Sequence, residues 1–412
     1  MHEGVLYVLD SQRRIFVGQQ PSQLERLVAE THDGRANCKR EADYAGIARH
    51  ARGLAGDDKF FAAAPVGLAC LKNFYRIADG KVVIEPLTAA HRQRVLLDLV
   101  PQADATPLFD AFLHETFKSE RPGEEDEQRA LVQELAGAIM LGVAHRFQKA
   151  FLFYDPYGRA GKGTLESIIR QLVPGAFVVA VSPFNWEKEY FVVTLAGARL
   201  NVVGELPENV SIPGAIFKSV IGGDLIMGRH PTHRPITFKN GAAHIFMSNH
   251  MISSHDQSEA LFARWGIIEF PNSRLRSGEP LDPDLAERIV ASELPGIAHW
   301  ALDGATRLLA NNKYSPSAAH DRLMQKWRRG NSSLHEFIAD ACDQAPEHHV
   351  TRASLYDTYR RWCTGNGRKP YAKARVKELL ECNVSLDIRL AVLDGNEIFR
   401  GLRVRPGEEY SF

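Results

Sequence analysis

The sequence predicts an α/β protein built on a parallel sheet, with smaller units before and after it. Three observations carry that expectation. Between residues 149 and about 275, apolar runs at 150–154, 178–181, 200–203, 244–248 and 266–270 alternate with helix-length connections, the rhythm of parallel strands joined by crossovers. The run Phe151-Leu-Phe-Tyr-Asp-Pro leads into a glycine-rich turn, and apolar residues at 165, 168, 169 and 172 then keep helical spacing. Near the end, helical stretches at 333–342, 352–363 and 371–381 precede strand-like runs at 384–392 and 397–404, joined by Asp394-Gly-Asn. Helix-helix-helix-hairpin is the order of a winged helix.

The remaining elements follow the same logic. Residues 5–9 and 14–17 read as strands of a hairpin, and 23–31 as a helix. Asp79-Gly80 sits between apolar stretches and signals a second hairpin. Leu108, Phe109, Phe112 and Leu113 begin a helical section. After a charged spacer at 118–128, the stripe Leu131, Leu135, Ile139, Met140, Val143 and Phe147 continues it. Residues 285–310 read as closing helices. The expected organisation is therefore a mixed α/β region at 1–100, a helical collar-like domain at 101–148, the sheet domain at 149–310 and a winged-helix DNA-binding domain at 311–412. About two to four domains is what the length allows.

Composition narrows the partners. Lys+Arg and Asp+Glu both number 50, so any nucleic-acid surface must be local. The five cysteines (38, 70, 342, 363 and 382) are scattered without a C-x-x-C pair. That argues against a disulfide framework or a zinc site and for a reducing compartment. No apolar run of about 18 residues is present, so the expectation is a cytoplasmic protein with no membrane partner.

The turn Gly158-Arg159-Ala160-Gly161-Lys162-Gly163-Thr164 lies between strand and helix, the context in which a loop cradles phosphates. Glycines let the backbone N–H groups curl around a polyphosphate, the helix N-terminus adds its dipole, and Lys162 reaches the outer phosphates. Against the pattern G-x-x-x-x-G-K-[ST], Pro156 stands at the first glycine and Gly163 at the hydroxyl position, with Thr164 one place later. Further on, Leu200-Asn-Val-Val-Gly-Glu205 is a strand ending in a carboxylate, where an acid could hold Mg²⁺ and polarise water. Lys218-Ser-Val-Ile-Gly222-Gly223-Asp224 is followed by Arg229. A second strand ends in Ser248-Asn249, and Arg264 stands just before another that ends in Phe270.

This succession resembles the superfamily 3 helicase domain of the phage and plasmid primase-helicase family, which includes the poxvirus primase-helicase. The resemblance covers roughly residues 65 to 385. It extends back to Pro107-Leu-Phe-Asp-Ala-Phe-Leu and forward to Tyr356, Tyr359, Trp362 and Cys363. It implies an AAA+-like P-loop ATPase at 149–310 that takes ATP and Mg²⁺. Amides of 158 to 164 and Lys162 would bind phosphates, Thr164 and Glu205 would touch the metal, and Glu205 would be the catalytic carboxylate. Asn249 would position the attacking water, and Arg264 would act as an arginine finger on the neighbouring subunit's ATP. A finger supplied in trans implies a ring, a homo-hexamer in this family. Gly204 stands where a second acid would be, which throws metal binding onto phosphate oxygens and water.

In the same superfamily a hairpin between these strands enters the central channel. Here Arg229-His230-Pro-Thr-His233-Arg234-Pro-Ile-Thr-Phe-Lys239 is dense in basic groups, and His230, His233, Arg234 and Lys239 are the expected DNA contacts. From 346 to 405 there are 12 Lys+Arg against 7 Asp+Glu. Lys373, Arg375 and Lys377 form the basic face of the third helix there, whereas 356, 359, 362 and 363 read as core. The expected protein is thus an ATP-dependent helicase of a mobile element, acting on single-stranded or forked DNA in a bacterial host. Residues 1–100 lack paired acids for primer synthesis, so any priming would fall to a separate primase. Two rivals stand beside it: a ring ATPase, such as an initiator or loader, that remodels origins without processive unwinding, and a DNA-binding replication initiator or regulator with a weak or degenerate ATPase, which Pro156, Gly163 and Gly204 favour.

Overall fold

The computed structural model describes residues 5–19, 21–32, 38–57, 59–208, 210–231, 235–254, 256, 258–278, 280–381 and 388–405. In the first hundred residues, β1 (Leu6–Asp10) and β2 (Ile15–Gln19) pair as an antiparallel hairpin. Helices α1 (Pro21–His32) and α2 (Glu41–Leu54) follow. Strands β3 (Leu68–Cys70), β4 (Asn73–Ala78), β5 (Lys81–Pro86) and β6 (Leu96–Leu97) form a sheet in the order β5-β4-β3-β6. The Asp79-Gly80 turn joins β4 to β5, with both residues at positive φ (51° and 70°), as a tight hairpin turn requires.

The centre of the molecule is a five-stranded, wholly parallel sheet in the order β15-β7-β13-β9-β8. Its strands are β7 (Ala150–Tyr154), β8 (Val178–Val179), β9 (Leu200–Val203), β13 (Ala243–Ser248) and β15 (Trp265–Glu269). All five expected strands are present, with bounds shifted by a residue or two. Side chains alternate between two cores, as strand geometry demands. Phe151, Phe153, Ile245, Met247 and Ile268 face one layer. It is built from α3 (Pro107–Phe117), α4 (Glu124–Leu141), α5 (Lys162–Arg170) and α10 (Leu285–Asn311). The closing helices expected at 285–310 are this one helix, which runs through Pro295.

Leu152, Tyr154, Phe246, Trp265 and Ile267 face the other layer. It holds the short α6 (Glu189–Val192), α7 (Gly214–Gly222), α8 (Glu259–Phe262) and α11 (Ala318–Asn331). Two small pairs border it: β10 (Ser211–Ile212) with β14 (Ser253–Ser254), and the hairpin of β11 (Leu225–Gly228) with β12 (Ile236–Lys239). Trp327 of α11 is buried in this core and donates its indole N–H to the Ile252 carbonyl at 2.5 Å. The packing against the sheet therefore runs on well past residue 311. A short α9 (Arg274–Ser277) follows β15.

The last part has its own core around Leu334, Phe337, Tyr359, Trp362 and Leu380. Its order is α12 (Ser333–Ala341), β16 (Cys342–Thr351), α13 (Arg352–Gly365), α14 (Lys373–Glu381), β17 (Arg389–Leu393) and β18 (Asn396–Val404). The strands make an antiparallel sheet, β16-β18-β17. Strand β16 was absent from the expected order. Its sequence, CDQAPEHHVT, has no apolar alternation. It contains a proline, sits at the sheet edge and carries a register shift between Gln344 and His349, the circumstances in which strands tolerate such residues. Among the described residues no helix is long and apolar enough to cross a membrane.

Candidate phosphate-binding site

In a parallel sheet the loops that follow the strands meet at one edge, where ligands collect. Three adjacent strands deliver the candidate groups there: β7 leads into the glycine loop, β13 ends at Ser248-Asn249, and β9 runs into Gly204-Glu205. Pairing continues one step beyond the strands. Asp155 N–H donates to Ser248 O (3.1 Å), Leu206 N–H to Met247 O (3.1 Å) and Phe270 N–H to Tyr154 O (2.8 Å), so the four chain ends are held in register.

The glycine loop is organised from inside by Asp155, which is wholly buried. Its carboxylate accepts the N–H groups of Tyr157 (3.0 Å), Gly158 (2.7 Å) and Ala160 (3.1 Å). The amides of Gly158 and Ala160, expected to face a phosphate, thus turn inward. An aspartate before proline reads in sequence as a strand stop, yet here it folds the turn. What the loop presents outward is the start of α5, where the amides of Lys162, Gly163 and Thr164 have no partner within the helix. Gly161 caps α5 at φ 97°, and a Cβ on it would lie 3.1 Å from Phe112 and 3.2 Å from Thr116 Oγ1. Arg159 also takes a positive φ, 59°. The loop is tied to the segment after β15, since Ser273 Oγ donates to Gly158 O at 2.5 Å and Arg274 N–H to Arg159 O at 3.3 Å.

Lys162 reaches back over this edge. Its ammonium donates to Ser248 O at 3.2 Å and to Asn249 Oδ1, and lies 3.9 Å from Asp155 Oδ2. Burial holds it below the usual lysine range, while Asp155 and Glu205 oppose that shift. Glu205 is exposed and within electrostatic reach of Lys162. A cavity of about 540 Å³ opens beside α5, with Lys162, Gly163 and Thr164 on one wall and Lys118, Arg274 and Arg276 on another. The last three were missed in the sequence. Arg276 stacks on the Tyr157 ring at 4.3 Å. The signal was available in Ser273-Arg-Leu-Arg, just past the strand that ends in Phe270. Among the described residues no three His, Cys, Asp or Glu side chains cluster as a metal site.

Arg264 is not part of this constellation. It precedes β15, at the opposite edge of the sheet, about 16 Å away along a five-residue strand. Its guanidinium donates to Lys218 O (3.1 Å) and Ala260 O (2.6 Å). Lys218 pairs with Asp256 at 2.8 Å, and Arg229 with Glu189 at 2.6 Å.

The expected DNA contacts separate in space. His233 and Arg234 lie outside the described residues. His230 is exposed beyond the end of β11, towards the hairpin tip, while Lys239 is exposed at its base, opposite Leu225. Leu225 and Met227 of the same hairpin are each 68% exposed. On α14, Arg375 pairs with Glu378 (2.7 Å), Lys377 with Glu397 (3.2 Å), and Lys373 lies over the Tyr356 ring at 5.8 Å. Val376, Leu379 and Leu380 pack inward, and Tyr359, Trp362 and Cys363 are buried.

A family described only as a family of unknown function, DUF5906, matches residues 155–264. That span includes Lys162, Glu205, Asn249 and Arg264. No curated protein matches the chain. Among solved structures, the A form apo structure of the NrS-1 C terminal region aligns with a TM-score of 0.45 at 11% identity, covering 81% of this chain and 95% of that one. A second apo structure of the same region (305–718) gives 0.41 at 12% identity, with the same coverage.

Proposed function

We propose that the chain is a Mg²⁺-dependent ATPase that drives a DNA helicase, assembled as a ring and moving on single-stranded DNA during replication of a mobile element in a bacterial cytoplasm. The observation that carries this reading is the meeting of Lys162, Asn249 and Glu205, from three adjacent parallel strands, around the open amides of α5. Lys162 and the amides of 162–164 would hold the outer phosphates. Asn249, released from Lys162 when phosphate takes its place, would orient the attacking water, and Glu205 would polarise it. Thr164 and Glu205 would hold Mg²⁺ together with phosphate oxygens; the metal would supply neutralisation of charge on the transferring group. Arg264, too far to act on its own chain's loop, suits a role on a neighbour's nucleotide. Through that role the reading includes a ring, a hexamer by the family resemblance. The strand would run past His230, Lys239 and the winged-helix-like end with Lys373, Arg375 and Lys377.

One observation favours the rival, a DNA-binding initiator or regulator with a weak ATPase. The Lys162 ammonium is already engaged by Ser248, Asn249 and Asp155. ATP turnover measured with and without single-stranded DNA separates the two. DNA-stimulated hydrolysis that falls at least about a hundredfold in Lys162→Ala and Glu205→Gln is the expected result. Absence of turnover in the assembled wild type would support the rival. Unwinding of a forked duplex is the subsequent test for a helicase.

A further inference from the structure

A second cavity, of about 350 Å³, opens at the other edge of the sheet, where the chain enters β7, β9 and β13. Its walls carry Arg92, Arg94, Arg146, Arg199, Lys239 and His145, and among the described residues that line it none is an aspartate or glutamate. The chain as a whole has equal numbers of acids and bases, so this concentration is local. Elsewhere in the molecule arginines find carboxylates, as Arg322 does with Glu124 and Glu269 and Arg307 with Glu134.

Here the cations are held by neutral groups. Arg199 donates to Leu141 O at 3.0 Å. Arg92 donates to Phe60 O at 2.8 Å and lies 4.6 Å above that ring. Arg94 donates to the Tyr7 hydroxyl at 3.4 Å and lies 4.9 Å above Phe61. None of these partners cancels charge. Arg146 and Lys239 are exposed at the rim, and among the described residues neither has a carboxylate partner.

The floor is shaped for a guanidinium. Gly142 takes a φ of 68°, and a Cβ on it would fall 1.1 Å from Arg199 Nη1. Only glycine lets the arginine lie across that turn. Burial, with a smaller contribution from Arg94, pulls Arg199 down to about 10, and burial, with smaller contributions from Arg199 and Arg146, lowers His145. Like charges brought together without a counter-charge raise the energy of the folded chain, and an anion would relieve it. Guanidinium forks match the oxygens of phosphate in particular.

We propose that this cavity binds phosphate, carried on the backbone of a single nucleic-acid strand or on a free polyphosphate. It lies at the opposite edge of the sheet from the α5 cavity and stands whether or not that cavity hydrolyses ATP. Lys239, at the base of the β11–β12 hairpin, links it to the path expected for a strand.

The test uses the full chain, with Lys162→Ala in every arm so that the α5 cavity does not contribute. Arg146→Glu combined with Lys239→Glu is compared with Arg49→Glu, an exposed control on α2. Binding of labelled oligo(dT) is followed by anisotropy across a salt series, and binding of pyrophosphate by calorimetry. If a strand is the source, the double variant weakens oligo(dT) binding, and the slope of log K against log salt flattens by about 1.4 for two lost contacts. If a free polyphosphate is the source, the saturable pyrophosphate heat is lost and the oligo(dT) slope is unchanged. Neither effect, relative to the control, overturns the proposal. A measurement on unmutated walls guards against misfolding of the variant. Phenylglyoxal labelling of Arg92, Arg94, Arg146 and Arg199, read by peptide mass spectrometry, should fall when oligo(dT) or pyrophosphate is added. Equal labelling with and without both ligands would also overturn the proposal.

Discussion

Single residues set the character of the candidate site more than its motif does. Lys162 was legible because strand, glycine turn and helix form a recognisable sequence pattern. The work of Asp155 was not, because nothing in Asp-Pro says that the carboxylate will fold back on amides two to five residues ahead. The same hidden chemistry governs the histidines. His320 accepts the Ile267 N–H on Nδ1 at 3.0 Å, which requires that nitrogen to be unprotonated. Burial pulls it from 6.5 to about 4, helped by Lys149 and Arg328 and opposed by Asp321. His335 falls to about 4, and His244, deep in the sheet, to about 3, both chiefly by burial. These groups are neutral when folded, while the unfolded chain takes up protons below about pH 6.5. Their contribution is complete above that pH and is lost as pH falls towards about 4 or 3. Urea unfolding should therefore give lower stability at about pH 5 than at about pH 7. His320→Gln keeps an acceptor but cannot titrate, and should shrink that difference by about 1–2 kcal/mol. An unchanged difference would count against a neutral His320.

At the scale of elements, periodicity and turn chemistry recovered what is local. The Asp79-Gly80 hairpin and the strands of the central sheet were visible because each announces itself within a few residues. β16 was not, because an edge strand is specified by its neighbour β18 rather than by its own alternation. Long-range caps are equally silent in sequence. Glu293 of α10 is almost fully buried and accepts the N–H groups of Leu108 and Phe109, both at 2.8 Å. A carboxylate 184 residues away thus satisfies the open amides of the first turn of α3. Glu293→Ala should cost about 1–3 kcal/mol in equilibrium unfolding, because the buried Phe109 N–H and the part-buried Leu108 N–H lose their acceptor. Glu293→Gln, which keeps one oxygen, should cost less. Equal, negligible costs would mean that water replaces the carboxylate.

For the whole molecule, topology decides what can meet. The order β15-β7-β13-β9-β8 brings the ends of β7, β13 and β9 together and sends Arg264 to the far edge, a separation that the order of motifs along the chain could not reveal. If Arg264 serves a neighbour, two inactive proteins should complement each other. Alone, Lys162→Ala would lose at least about a hundredfold in ATP turnover and Arg264→Ala at least about a thousandfold. Mixed before assembly, they should recover part of the wild-type rate, because some interfaces join an intact loop to an intact arginine. A mixture no more active than its components would remove the role in trans. The central strand β13 has a further consequence. All six of its residues are buried, its carboxyl end holds Asn249 against Lys162, and its amino end follows directly from Asn240 and the β12 hairpin. It behaves as a stiff push-rod of about 20 Å, clamped on both sides. A displacement imposed at its amino end would be carried along a paired, buried strand towards Asn249, so a substitution that loosens β13 is expected to weaken any dependence of events at one edge of the sheet on those at the other.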